Sequence, residues 1–467
     1  MRIIIFGIGA YFFKMQEVFD KEDIVAFIDN DKNKWNRRIN NIQIFSPSYI
    51  NGFSYDKIVV MAKQKDGIIR QLINEFGIEE SLIFDYESYC EYCAKNKALC
   101  ELVVNYSRNP VCINKNKKKI LIITYILNYT GSSLAAFYAA SALIEKEYDV
   151  AIATSKADNG FVNEITKKGV TVYTQELIEF CTWEQISWIE QFDFVIINTL
   201  PILRIIKELI SRIPIMWWIH ESKIEYENLD KSIIEYIDNL EIETYVVSDV
   251  ALHTFHQYFN ILNANILHYG IPDKGYDDNQ FTKREKLIFA VIGGITSVKA
   301  QDIMLQAIIH LTQEELNKSE FWLIGVCPTE SQFGLSVLRQ VEMIPEVKWM
   351  GELNREELEK VYKSIDVVVV PSRQETLSIV ATEALMYGKI LIVSNVVGIA
   401  KYIEHKKNGY IFENENVADL TEKISWVLNN KNNLKSISLR ARQTYDEYFT
   451  LDIFEERLEE IIGKSDE

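Results

Sequence analysis

The stretch VVVVPSRQETLSIVATEALMYGKILIVSN, residues 367–395, decides how the rest of the chain is read. Four successive valines closed by Pro371 suit a strand buried on both faces of a parallel sheet. TLSIVATEALMYG then reads as an amphipathic helix ended by Gly388, and KILIVSN as the next strand. Such a strand, turn and helix leave backbone N–H groups near Thr376, Leu377 and Ser378 at the strand's carboxyl end. With the positive end of the helix dipole, they form an anion site. Glu375 stands just before it, and an ionised carboxylate, which only accepts hydrogen bonds, suits a ligand rich in hydroxyls. Spacing alone equally allows Glu375 as a helix-start charge and Glu383 as a solvated residue on the outer helix face.

The same alternation extends in both directions. Around this stretch lie KLIFAVIGGI, EFWLIGV and EVKWMGEL, each followed by a helix or loop, and the chain closes with two helices, the last rich in Glu. Before it, KILIITY, DVAIATS, FDFVIINT, IPIMWWIH and ETYVVSD form a second series, and RIIIFGIG, IVAFIDND and YDKIVVMA a first. Strands alternating with helical patterns predict parallel sheets covered on both faces. Two such sheets facing each other create a cleft, with ligands at the carboxyl ends of the strands. The polar runs NKNKKK (114–119) and DKGYDDNQFTKRE (273–285) mark the boundaries, the second as a hinge for domain closure. The expected domains are 1–113, 118–275 and 285–467, with the last helix crossing back. At 467 residues the chain is long enough for about three domains of ~150 residues.

A hydrophobic share of 48% with 25% charged residues fits a globular protein, and a net charge of −17 argues against nucleic-acid binding. No run of about 18 apolar residues suggests a membrane span. The opening MRIIIFGIGAYFF lacks a cleavage pattern in its continuation, so a cytoplasmic address is expected, with peripheral contact at the inner membrane face compatible with the lysines at 115–119. Cys90, Cys93, Cys100 and Cys112 invite a zinc reading. At ~100° per residue, however, the first three share one face of a helix expected over 86–107, continued by Val103 and Val104, so buried packing is expected instead.

The pattern PS-x2-E-x7-EAL-x2-G-x-I-x-I-x-S resembles the C-terminal signature of the retaining GT-B glycosyltransferases of family 4. The resemblance runs over roughly residues 118–460 and includes GGITSVKAQDIMLQAI (293–308), WMGEL (349–353), KNGYIF (407–412) and WWIHES (217–222). It implies a GT-B fold and transfer of a sugar from a nucleoside-diphosphate donor, a UDP- or GDP-sugar, without metal or cofactor. The acceptor would be a glycan, lipid-linked or protein hydroxyl in surface polysaccharide, cell-wall polymer or glycoprotein synthesis. By position, Glu375 would hold donor-sugar hydroxyls, Thr376 and Leu377 would present amides to sugar or diphosphate beside Ser378, and Glu383 would take the ribose. Lys299 would neutralise the diphosphate, and Met350 and Leu353 would flank the base slot. Gly131, in the first strand-to-helix loop of the middle domain, would let backbone approach the donor, and His220 would be a site histidine with Glu221 orienting it or closing a loop. Without the resemblance, Lys299 reads as a surface lysine, His220 as a structural histidine and Gly131 as a loop glycine.

The chain departs from the family pattern where an arginine accompanies that lysine, since Gly293, Gly294 and Val298 stand there. This puts one cation against the diphosphate in doubt and motivates an alternative, a non-catalytic GT-B partner that stabilises or targets an active transferase. In the first domain, Gly7, Gly9 and Asp29 match a dinucleotide fingerprint whose third glycine is replaced by Phe12. The domain resembles the Rossmann-like N-terminal domain of bacterial sugar acyltransferases, which implies either nucleotide binding or an interaction role such as oligomer formation. The Asp-x-Asp at 29–31 has a place in that reading without a metal.

Overall fold

The computed structural model describes residues 1–96, 101–107, 117–277, 285–328 and 331–464. They fall into two compact units, one of residues 1–103 with 175–188, the other of 104–174 and 189–467. The first unit holds a six-stranded sheet in the order Arg38–Ile39, Ile42–Phe45, Asp23–Ile28, Arg2–Phe6, Lys57–Val60, Ile83–Asp85. Its pairings are parallel apart from the edge hairpin of the first two strands. Side chains alternate across a strand, so Ile3 and Ile5 enter one core with Phe12, Phe27 and Val59, while Ile4 and Phe6 enter another with Ile28, Ile58 and Val60. Both faces therefore need cover. Part of one cover comes from far along the chain: Leu177 joins the first core with Phe180 against it, and Gln185 donates to the carbonyl of Ala94.

The helix expected over 86–107 is shorter, Tyr86–Asn96, and Val103–Asn105 is a strand at the edge of the next sheet. Two adjacent β-branched residues favour the sheet over the helix here, so Val103 and Val104 do not continue the cysteine face. Cys90 and Cys93 are fully buried in the first core. Cys100 and Cys112 lie outside the described residues, as do 114–116 of the NKNKKK run and 278–284 of the expected hinge.

The second unit contains two further sheets. The N-half sheet runs Asn265–Ile266, Glu243–Val246, Ile215–Ile219, Phe194–Asn198, Lys119–Leu127, Asp149–Ala157, Thr171–Thr174, Val103–Asn105. The C-half sheet runs Val347–Trp349, Ser319–Ile324, Leu287–Ile292, Val367–Val370, Ile390–Ser394, Tyr410–Phe412 and is parallel throughout. Two parallel α/β sheets in one unit are the GT-B arrangement, here preceded by the Rossmann-like sheet. Strands Thr171–Thr174, Asn265–Ile266 and Tyr410–Phe412 escape the sequence reading because each is short and lies at or next to a sheet edge.

The helix after the valine strand is Ile379–Met386, and all of it but Val380 is buried. It is not amphipathic. The strands Val367–Val370 and Ile390–Ser394 pack on it from one side and the helix Leu434–Tyr448 from another, leaving only Val380 partly exposed. The last helix, Leu451–Lys464, returns to the N-half and packs on Gly131–Glu145. Lys146 pairs with Glu455 at 3.1 Å and Glu459 at 3.0 Å, and the Phe454 ring lies 5.3 Å from Trp218.

Candidate functional site

The carboxyl ends of the C-half strands bring Lys299 and Glu375 together although 76 residues separate them. Lys299 Nζ donates to Glu375 Oε1 at 2.8 Å, and Ser372 Oγ donates to Oε2 at 2.8 Å. The Glu375 side chain is only 14% exposed. Burial is the largest single influence on its ionisation and opposes it. Lys299, Ser372 and Ser378 together outweigh burial and hold the carboxyl below the usual glutamate value. The expected sugar-binding acid is therefore a carboxylate at neutral pH, and the expected diphosphate lysine is already paired with it. Lysine carries three donors, so one bond to Glu375 leaves two for a second anion.

Ser378 is the N-cap of the buried helix, its Oγ accepting from Ala381 N at 3.3 Å, and its φ of +91° marks a backbone strained for a residue other than glycine. Thr376 and Leu377 thus precede the helix rather than open it. Both polar groups of Thr376 reach the N-half: its hydroxyl donates to the carbonyl of His220 at 2.7 Å, and its carbonyl accepts from Ser248 Oγ. Gly131 begins its helix within 4.0 Å of Ile379 for a Cβ placed there, so the two helix starts approach each other.

Glu383 is almost fully enclosed. Arg355 Nη2 donates to its Oε1 at 2.6 Å and Tyr362 OH to its Oε2 at 2.8 Å, and Arg355 also reaches Tyr138 OH of the N-half at 3.3 Å. With a side chain 4% exposed, it is not the solvated outer-face residue that spacing allowed. A ribose reaching Glu383 would have to share it with Arg355. Neither Arg355 nor Tyr362 stands out in the sequence. Arg355 follows the N-cap Asn354 and reads as an ordinary exposed residue of a first turn.

His220 ends strand Ile215–Ile219 with its ring buried against Trp218 at 4.3 Å. Its Nε2 lies 2.8 Å from Asn198 Oδ1, while Asn198 Nδ2 donates to Thr124 Oγ1 and the carbonyl of Ser132. Since the amide nitrogen is committed to two acceptors, the oxygen faces His220 and Nε2 carries the proton, leaving Nδ1 as the acceptor. Burial pushes the imidazole pKa down to about 3. His220 is therefore a neutral hydrogen-bonding group at physiological pH. Beside it, Glu221 Oε2 accepts from the backbone N–H groups of Leu200 and His220 at 2.8 and 3.0 Å. Burial raises the Glu221 pKa to about 7 against the pull of those bonds. It closes the loop between two strand ends rather than touching the imidazole.

The expected base slot lies at the far end of the C-half sheet. Gly293 has a φ of +139° and Gly325 one of +144°, and a Cβ on Gly325 would sit 2.2 Å from the Gly293 carbonyl oxygen. Two backbones pack directly against each other there, which requires the glycine at 325, and the positive φ favours one at 293; a side chain on Gly294 would meet only ordinary contact with Val326. The Lys299 stem runs alongside Gly293, 3.6 Å from a Cβ placed on it, and Gly294 faces Val326. Met350 and Val326 are partly exposed, at 39% and 47%, and Leu353 is half-buried.

In the first unit, Asp29 Oδ2 accepts from Ile8 N at 2.7 Å and Lys34 Nζ at 2.9 Å, and Oδ1 from Asp31 N at 2.8 Å. The carboxylate that a ribose would need is engaged by its own loop and by the Gly7–Gly9 turn. Phe12, in place of the third glycine, is a core residue packed on Phe27 at 5.4 Å. Among the described residues, no group of three or more His, Cys, Asp or Glu side chains is placed to hold a metal ion, and no helix is long and apolar enough to cross a membrane.

Comparison with known proteins agrees with the fold. Residues 274–444 match the family described as glycosyl transferases group 1, residues 116–271 the one described as glycosyl-transferase family 4, and residues 1–84 the one described as C2185-like, N-terminal. An uncharacterized glycosyltransferase of Methanocaldococcus jannaschii is 46% identical over 63 residues, 14% of this chain and 16% of that protein. A D-inositol 3-phosphate glycosyltransferase of Nocardia farcinica is 24% identical over 159 residues, 33% of this chain and 35% of its own. The chain spans from about a sixth to about half the length of the curated relatives it matches first. The crystal structure of Anabaena HepE in complex with UDP-glucose superposes with a TM-score of 0.61 at 15% identity, over 74% of this chain and 99% of that one. The two matched segments and the shared fold support a GT-B glycosyltransferase over residues 116–444.

Proposed function

We propose that the protein is a metal-independent, retaining glycosyltransferase that moves a sugar from a nucleoside-diphosphate donor to a hydroxyl acceptor. The observation that carries this reading is the Lys299–Glu375 pair at 2.8 Å beside the start of the buried helix. It combines a cation for a departing diphosphate with an ionised acceptor for sugar hydroxyls. Glu383 lies one helical turn from that helix start and would take the ribose, with Gly294, Met350 and Leu353 around the base. Anabaena HepE, which shares the fold, binds UDP-glucose, so a UDP-sugar is the first donor to try.

The transition state resembles an oxocarbenium ion leaving a diphosphate that gains charge. A preorganised donor in a dry site contributes roughly 3–4 kcal/mol, whereas a helix dipole contributes ~0.3–2 kcal/mol. Lys299 therefore dominates. His220, neutral and fixed in one tautomer, offers Nδ1 as an acceptor for a sugar hydroxyl and no proton. A diphosphate oxygen takes the acceptor's proton on the face from which it leaves, so the anomeric configuration is retained. A peripheral position at the inner membrane face would suit a lipid-linked acceptor.

The test uses the purified full chain with UDP-glucose, UDP-galactose, UDP-N-acetylglucosamine and GDP-mannose, following release of the nucleoside diphosphate and the anomeric configuration of the product by NMR. Lys299→Ala and Glu375→Ala are each expected to lower turnover about 10²–10³-fold with the fold intact. Near-wild-type turnover in either variant would sink the assignment. A second reading, a non-catalytic partner of an active transferase, is favoured by one observation: Glu375 and Glu383 already accept bonds from protein groups on both of their oxygens. Donor hydrolysis by the chain alone rules it out.

A further inference from the structure

The loop that carries Lys299 holds a costly conformation. Lys299 N donates to Thr296, and the next residue, Ala300, is left-handed at φ +55°, a cost of roughly 1–2 kcal/mol for a residue with a Cβ. Such backbone persists only where its surroundings over-determine it. The surroundings here converge on Arg373, between Ser372 and Glu375 on the opposite loop. Its backbone N–H donates to the Val298 carbonyl at 2.8 Å and its Nη1 to the Ser297 carbonyl at 2.6 Å. Nη1 and Nη2 grip Asp302, at the start of helix Gln301–Ile309, at 3.0 and 2.7 Å, and Nε meets Glu415 Oε1 at 2.6 Å. Glu415 is itself left-handed at φ +59°.

We propose that Arg373 is a positioning residue that clamps the 296–300 loop against the 372–375 loop and thereby sets the Lys299–Glu375 pair. This rests on the glycosyltransferase reading for its consequence in catalysis, though not for the clamp itself. Arg373 does not supply the second cation that the family pattern leads one to look for. Two carboxylates, Asp302 and Glu415, already hold its guanidinium, so its contribution is geometric. A lysine could not replace it, because only a planar fork meets a bidentate carboxylate, a carbonyl and a second carboxylate at once.

The clamp has a signature away from Arg373 itself. Glu375 faces Lys299 from the 296–300 loop, Ser372 and Ser378 from its own loop, and Tyr269 from the N-half. Lys299 is the one cation among these groups. If the loop relaxes and Lys299 withdraws, burial is left less opposed and the carboxyl titrates at higher pH.

Turnover of the fastest donor from the four-sugar panel, measured from pH 3 to 9 with the full chain, tests this. Arg373→Lys and Arg373→Ala are expected to lower kcat at least tenfold and to move the acid limb to higher pH, as Lys299 withdraws from Glu375. Asp302→Asn should shift it the same way by less. The comparison is Asn408→Ala, which removes a buried side chain bonded to Tyr402, Glu404 and Thr444. It should lower the melting temperature and leave the acid limb in place. An unmoved limb in the Arg373 variants, or an equal shift in Asn408→Ala, overturns the proposal. If Arg373→Ala does not fold, Arg373→Lys decides. A second arm needs no donor: melting-temperature shifts of Arg373→Lys and Lys299→Met should be non-additive in the double variant, and additivity would overturn the clamp. Absence of turnover in the wild type would instead remove the glycosyltransferase reading, leaving this second arm to decide the clamp.

Discussion

At the scale of single residues, Glu221 and His220 are neighbours whose ionisation pulls stability in opposite directions. Burial holds the His220 pKa near 3, so the unfolded chain takes up a proton that the folded one refuses. Its contribution is complete above the unfolded value of ~6.5 and is lost as pH falls towards about 3. Glu221, with a folded pKa of about 7 against an ordinary value of ~4.3, behaves inversely. The folded chain binds more protons than the unfolded chain between those values, so stability falls as pH rises through that window. Both backbone bonds to Glu221 end on the same oxygen, Oε2, so the amide oxygen of a glutamine can make both. Glu221→Gln is therefore expected to fold, to keep the rise that His220 contributes while losing the opposing fall from Glu221, and so to gain on the order of 2 kcal/mol relative to the wild type between pH 4.5 and pH 8. Melting curves at a series of pH values check this, and parallel curves for the two proteins would contradict it.

At the scale of elements, the turn Gly398–Tyr402 braces the 375–378 loop from behind. Gly398 N donates to the Glu375 carbonyl at 3.1 Å. A Cβ on Gly398 would sit 1.7 Å from the Thr376 carbonyl oxygen and 2.8 Å from Ser248 Oγ. Those two atoms form the hydrogen bond that joins the C-half loop to the N-half. Gly398→Ala must therefore displace the loop holding Glu375 and break that bond. Overpacking of this kind costs about 1–3 kcal/mol, and turnover should fall by more than the change in melting temperature explains. A variant as active and as stable as the wild type would show that the loop has room it does not display. The buried helix 379–386 works in the same way: with every residue but Val380 buried, it has little room to tilt and accommodate a moved loop.

At the scale of the whole molecule, the first unit is not a detachable N-terminal bead. Residues 175–188, which follow the strand Thr171–Thr174, belong to it, with Leu177 buried beside Ile3, Phe19 and Tyr89. Burying one such side chain is worth about 1.5–3 kcal/mol. A chain starting at residue 118 should therefore expose 175–188, be cut there under limited proteolysis and self-associate, whereas the full chain resists. A monomeric truncation protected over 175–188 would refute this. Much was legible without coordinates. Apolar periodicity marks the parallel strands, because period and length are local properties, the PS-x2-E-x7-E pattern singles out Glu375 and Glu383 as candidates, and GGITSVKAQDIMLQAI singles out Lys299. Tertiary structure alone decided their partners: Lys299 on Glu375 across 76 residues, Arg355 and Tyr362 on Glu383, Arg373 on the lysine's loop, and segment 175–188 in the first core. Each of these is a contact between elements distant along the chain, and hydrophobic periodicity carries information about the face a residue occupies but none about what meets it there.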